Sequence, residues 1–110
     1  MTASDLEYLE SILDAARELE DIVRLGKSDF DGNRISQRAA ERLLEIIGEA
    51  AGQLSEDFCA RHLEMPIRQA KDTRNFIEHQ YDDVVYPIIW DTIVTDIPKL
   101  AVQIKAAISD

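Results

Sequence analysis

Apolar residues recur three and four positions apart along nearly the whole chain. Leu6, Leu9, Leu13, Ala16, Leu19 and Val23 form one such stripe, widened by Ile12 and Ile22. This is the signature of an amphipathic helix with one buried face. The first segment is expected over residues 4–25. Ser4 and Glu7 have the spacing of a capping box, and Gly26 supplies a stop. Residues 27–33 are rich in Ser, Asp, Gly and Asn and read as a turn.

The second segment is expected over residues 34–54. Ile35, Ala39, Leu43, Ile46, Ile47, Ala50 and Leu54 mark its buried face, broadened by Leu44 and Ala51. Gly48 and Gly52 interrupt it, each costing about 1 kcal/mol relative to alanine. Small residues four apart let another helix come close. Residues 55–62 read as a short helical connector behind a serine cap. Pro66 suits the first turn of a third segment, residues 66–79. A break is expected over 81–87, then a fourth segment over 88–108. Ile93, Ile97, Leu100, Ile104 and Ile108 carry that stripe, and Pro98 predicts a kink near Asp96. No run alternates with strand period. The pattern therefore predicts an all-α bundle of four main helices with a short connecting helix, in a single domain spanning residues 1–110.

The net charge is −10, from 12 basic and 22 acidic residues. That balance argues against tight, non-specific binding of a polyanion. Between residues 61 and 79 the balance is one positive, four basic residues (Arg61, Arg68, Lys71, Arg74) against three acidic (Glu64, Asp72, Glu78). The single cysteine, Cys59, excludes an internal disulfide and fits a reducing cytoplasm. Early acidic residues do not fit a secretion signal, and the apolar stretch 84–90 is too short to cross a bilayer. A cytoplasmic location away from membranes is expected.

Some polar residues stand on the apolar stripe. Ile67, Ala70, Arg74, Ile77 and Tyr81 follow a 3-4-3-4 spacing, which puts Arg74 in line with buried positions. A guanidinium there must be paired or functional. A core ion pair with a carboxylate is the simpler alternative. His79 lies five residues on, about 140° away around an ideal helix. The two share a site only if the helix ends before His79 or a second subunit contributes. Taken alone, His79 fits a helix-end cap and Tyr81 fits core-edge packing. His62 and Arg61 read as solvated, and Cys59 receives no role. Two histidines without a cysteine partner argue against zinc, and no Glu-x-x-His pair, phosphate loop or nucleophile elbow occurs. Neither a metal nor a cofactor is expected.

Residues Arg74-Asn75-Phe76-Ile77-Glu78-His79-Gln80-Tyr81 read R-N-x-x-x-H-x-Y. This resembles the R-x4-H-x-Y signature of HEPN-domain proteins of the HepT type. The resemblance extends to Tyr8-Leu9 with Ile12-Leu13, to Ile46-Ile47-Gly48-Glu49-Ala50, and to Ile88-Ile89-Trp90 followed by Asp96-Ile97-Pro98-Lys99-Leu100. It thus covers nearly the whole chain. Two positions depart from it. Ile67 or Arg68 stands where a tryptophan is common, and Gln80 where a glycine is common.

The resemblance implies a helical bundle that forms a homodimer and brings two such motifs into one cleft. It implies a metal-independent endoribonuclease with Arg74 and His79 catalytic and Asn75 and Tyr81 supporting. It further implies a toxin of a type VII-like pair, whose minimal nucleotidyltransferase antitoxin attaches AMP to Tyr81. Two other readings stay open. One is a non-catalytic HEPN subunit that docks the nucleotidyltransferase as substrate or scaffold. The other is an unrelated helical interaction protein.

Overall fold

The computed structural model describes residues 1–79 and 86–109. Gln80 and residues 81–85 of the expected break, Tyr81 among them, lie outside the described residues. Among those described, every regular element is helical.

Helix α1 spans Ala3–Arg24. Its cap is Thr2, not Ser4. The Asp5 N–H donates to Thr2 Oγ1 (2.9 Å), and the Thr2 N–H donates to the Asp5 carboxylate (3.3 Å). A tertiary contact explains this register. Asp5 is buried and also accepts from the N–H (2.8 Å) and hydroxyl (2.7 Å) of Ser55, 50 residues away. Burial alone pushes the Asp5 carboxyl up. The donors of Ser55 and Thr2 outweigh burial and hold it below its ordinary value of 3.8. The stabilisation is therefore present above that value and is lost as pH falls through the depressed folded value. Asp5→Asn removes the charge but keeps one acceptor, and should lower stability by about 1–2 kcal/mol at pH 7. Urea unfolding at pH 7 and pH 3 checks this. An equal deficit at both would contradict it.

The stretch read as a turn is instead a helix, α2, over Lys27–Gly32. It follows Gly26, whose φ of 90° only glycine adopts easily. Its single large apolar side chain, Phe30, is fully buried against Tyr86 and Trp90. One buried aromatic side chain, not periodicity, holds these six residues. The Gln37 side-chain amide closes their C-terminal end by donating to the Phe30 carbonyl (2.8 Å).

Helix α3 spans Arg34–Gly52, capped by Asn33, whose side chain accepts from the Ser36 N–H (3.1 Å). It packs against α1 on one side and against α5 (Ile67–Glu78) on the other. The buried stripe is therefore wide and centred on Ala40, Leu44, Ile47 and Ala51. Ile35, expected inside, is 83% exposed, and Ala39 and Ile46 are half-buried. The connector forms α4, Glu56–Arg61, with the Ser55 hydroxyl accepting from the Phe58 N–H (3.1 Å) as the sequence predicts.

Helix α6 spans Tyr86–Asp91, so Tyr86 and Pro87 begin a helix and not the end of a break. A proline in a first turn gives up no helical bond. A widened π-type turn follows at Thr92–Asp96, then α7 over Ile97–Ser109. The Ile97 N–H donates to the Thr92 carbonyl, five residues back. Pro98 has no N–H, and its ring would press on the carbonyl four residues before it. Widening the turn ahead of Pro98 relieves that clash, so the expected interruption is a π-turn. Leu9, Ile12, Leu19, Leu44, Ile47, Ile93 and Ile104 fill the core between α1, α3 and the C-terminal elements. Among the described residues, no helix is long and apolar enough to cross a membrane.

Candidate functional site

Arg74 owes its place to a missing side chain. A Cβ on Gly48 of α3 would overlap Arg74 Cβ and stand 2.8 Å from the Ala70 carbonyl oxygen. Without one, α5 lies directly on α3 and carries the stem of Arg74 with it. The close approach expected of the two glycines thus belongs to Gly48. Among the described residues, Gly52 has only Lys71 Cγ near it, at 4.0 Å.

Arg74 forms an ion pair with Glu78, one turn on, and with the two side chains 33% and 35% exposed the pair is not in the core. Its Nε is buried and lacks a hydrogen-bond partner among the described residues; Glu78 Oε1 lies 3.8 Å away, beyond hydrogen-bond reach. An Nη donates to Asn75 Oδ1 (3.0 Å). Among the described residues the guanidinium thus makes one hydrogen bond, and the exposed third of the side chain is where an anion could reach it.

Helix α5 ends at Glu78, and His79 is its C-cap, with φ −102° and ψ 7°. Its N–H donates to the Asn75 carbonyl (3.1 Å), and the residue is exposed. Because that N–H keeps the bond four residues back, the backbone holds its helical turn as far as His79, and the separation of about 140° from Arg74 around the helix still stands. Asn75 is exposed and touches Arg74 directly. Tyr81 lies outside the described residues.

Two further carboxylates stand close to Glu78, the residue paired with Arg74. Oxygens of Glu45, Glu49 and Glu78 lie within 4.8 Å of one another. Burial pushes the Glu45 carboxyl up, and Glu78, Glu49 and Glu41 add to this against Arg42. Glu45 and Glu49 sit one turn apart on α3, which was the available signal. Only the packing at Gly48 reveals that Glu78 joins them. Such a group offers oxygen ligands to a hard cation, yet Arg74 already stands beside it as counter-charge. On the same side an open groove runs between α1 and α3, lined by Tyr8, Ile46, Glu49, Gln53 and Arg74.

His62 is not solvated as expected. Its ring stacks on Phe58 with centroids 4.4 Å apart, and its Nδ1 lies 3.3 Å from Glu64. Cys59, half-buried, lines a separate recess.

The family model described as Ribonuclease HepT-like matches residues 12–107. The chain belongs to the HepT-like ribonuclease family. Its helical architecture fits the all-α HEPN-like bundle. A relative from Caldanaerobacter subterraneus named "Putative RNase" is 38% identical over 99 residues, covering 89% of this chain and 88% of the relative. The "Probable ribonuclease HepT" of Thermococcus cleftensis is 37% identical over 101 residues, covering 91% and 92%. No solved structure gives a significant match. Within this HepT-like chain the resemblance-bearing Arg74, Asn75 and His79 fall on the last two turns of α5 and its cap.

Proposed function

We propose that this HepT-like protein is a metal-independent endoribonuclease whose catalytic residues are Arg74 and His79. The observation that carries the reading is the pairing of an incompletely paired guanidinium at Arg74 with an exposed imidazole at the end of the same helix. The His79 imidazole takes the proton from a ribose 2′-OH, acting as general base. The 2′-oxygen attacks the adjacent phosphorus as the bond to the 5′-oxygen breaks. The leaving oxygen takes a proton from solvent. A 2′,3′-cyclic phosphate and a free 5′-OH result. Arg74 holds phosphate oxygens and stabilises charge that develops on them, with Asn75 and Tyr81 in support. The working unit is a homodimer of single-domain chains (residues 1–110) in the cytoplasm, with two motifs sharing a cleft.

The protein then acts as the toxin of a type VII-like pair. A minimal nucleotidyltransferase antitoxin transfers AMP from ATP to the Tyr81 hydroxyl and releases pyrophosphate. The added phosphate repels RNA from Arg74. The acidic surroundings of Arg74 and the net charge of −10 favour a second reading, a non-catalytic subunit that serves the nucleotidyltransferase as substrate or scaffold.

Incubation with single-stranded RNA in excess chelator separates the two. Cleavage to cyclic-phosphate ends is expected, weak in affinity and salt-sensitive, while the 2′-deoxy analogue stays intact. Intact RNA would leave the scaffold reading. Treatment with the partner nucleotidyltransferase and ATP should add AMP to Tyr81, seen by mass spectrometry, and abolish cleavage. Cleavage that persists after full modification would remove the control mechanism.

A further inference from the structure

The groove beside Arg74 has no part in the chemistry just described. Its floor is one face of α3, where Ile46, Glu49, Ala50 and Gln53 follow at spacings of three, one and three. Tyr8 of α1 forms one wall and Arg74 of α5 borders it, around about 480 Å³ of open space. That volume suits a nucleotide-sized ligand.

We propose that this groove is a nucleobase subsite, in which Tyr8 stacks on the base next to the phosphate held by Arg74 and Glu49 reads its edge. The proposal rests on the ribonuclease reading of Arg74. Tyr8 is half-buried and packs against the core, so its ring is held in place before a ligand arrives. Ile46 and Ala50 give the base an apolar floor. Bases stack on aromatic rings whatever their identity, but the acceptor at the rim discriminates. A carboxylate only accepts hydrogen bonds. Guanine presents two adjacent donors on its pairing edge, N1–H and the exocyclic amine. Uracil presents one N–H between two carbonyls. Glu49 therefore favours guanine and disfavours uracil. Gln53, one turn on, can donate to the guanine carbonyl.

Glu49 is free for this role. Its contact with Arg42 is 3.6 Å, with both side chains about half exposed, and such pairs are easily exchanged. The charge balance also calls for such a subsite. A chain at −10 whose guanidinium already lies 3.8 Å from the Glu78 carboxylate gains little from phosphate contacts alone. Stacking supplies binding that does not depend on charge.

The test uses dye-labelled single-stranded oligonucleotides with 2′-O-methyl sugars, which cannot be cleaved, and reads affinity by fluorescence anisotropy. Oligonucleotides rich in guanine and in uracil are compared on the intact dimeric or monomeric protein as purified. The wild type should bind the guanine series more tightly. Tyr8→Ala should weaken that binding about tenfold or more, and Tyr8→Phe should retain it. Glu49→Gln should shrink the difference between guanine and uracil. The proposal is overturned if nothing binds, if the two series bind alike, if Tyr8→Ala binds as the wild type does, or if Tyr8→Phe is as weak as Tyr8→Ala. Because no turnover is needed, the two readings fail separately. Tyr8-dependent guanine binding without cleavage of RNA keeps the subsite and removes the nuclease. Cleavage at equal rates beside guanine and uracil, unchanged in Tyr8→Ala, keeps the nuclease and removes the subsite.

Discussion

Replacing His79 with alanine should slow RNA cleavage by about 10²–10⁴-fold, the usual contribution of a positioned general base. The loss belongs in kcat, because an imidazole that removes a proton acts in the transition state and adds little to ground-state binding. Stability should change little. His79 is exposed, and its structural contribution is a backbone N–H that alanine retains. Arg74→Ala should lose about 10²–10³-fold. Arg74→Lys should fall between, since an ammonium keeps the charge but cannot grip two oxygens. Mixing the two alanine variants probes the proposed two-fold cleft. If each site draws its guanidinium from one chain and its imidazole from the other, mixed dimers carry one intact site. About a quarter of all sites then recover by subunit statistics. If each site lies within one chain, mixing restores nothing. Equal activity of wild type and His79→Ala would remove the base from the mechanism.

The second large effect comes from a residue with no side chain. Gly48→Ala should lower kcat/KM by about 10²-fold, the scale on which a misplacement of 1 Å acts. An added methyl meets Arg74 Cβ and the Ala70 carbonyl. Neither is the free end of a flexible chain, so α5 must move as a body and Arg74 moves with it. Overpacking costs about 1–3 kcal/mol, while exchanging glycine for alanine inside a helix returns about 1 kcal/mol. The expected net loss of stability is thus small beside the loss of activity. Gly52→Ala is the control. With its nearest neighbour at 4.0 Å, it should gain about 1 kcal/mol and leave cleavage unchanged. Thermal unfolding and steady-state kinetics on both variants check the pair. Unimpaired cleavage by Gly48→Ala would show that the placement of Arg74 does not depend on this contact.

The long helices were legible because their stripes are long. Over 20 or so residues, periodicity outweighs local composition, and α1 and α3 appear within about two residues of their expected ends. Residues 27–33 carry turn-forming composition, whereas the helix there is held by one buried phenylalanine, and one residue has no period. Ile35 fits the spacing of the stripe, but periodicity cannot show how far along a helix its neighbours reach. His62 has a charged chain neighbour, whereas its stacking on Phe58 depends on how α4 ends. At the site, the motif named Arg74, Asn75 and His79 but not their setting. The acidic ring joins α3 to α5 across Gly48, a contact between residues more than 25 positions apart. Pairings of that kind leave no local trace. Tyr81 was legible only through resemblance, and it lies beyond the described residues.

The carboxylate of Asp5 also ties the second half of the molecule to its beginning. Both of its oxygens wait for a serine that leaves the ribosome some fifty residues later. Until then the first turn of the nascent chain lacks its long-range anchor. Any peptide fused ahead of Met1 begins only one residue from the threonine that completes the same knot. Purification handles placed at the far end avoid crowding it.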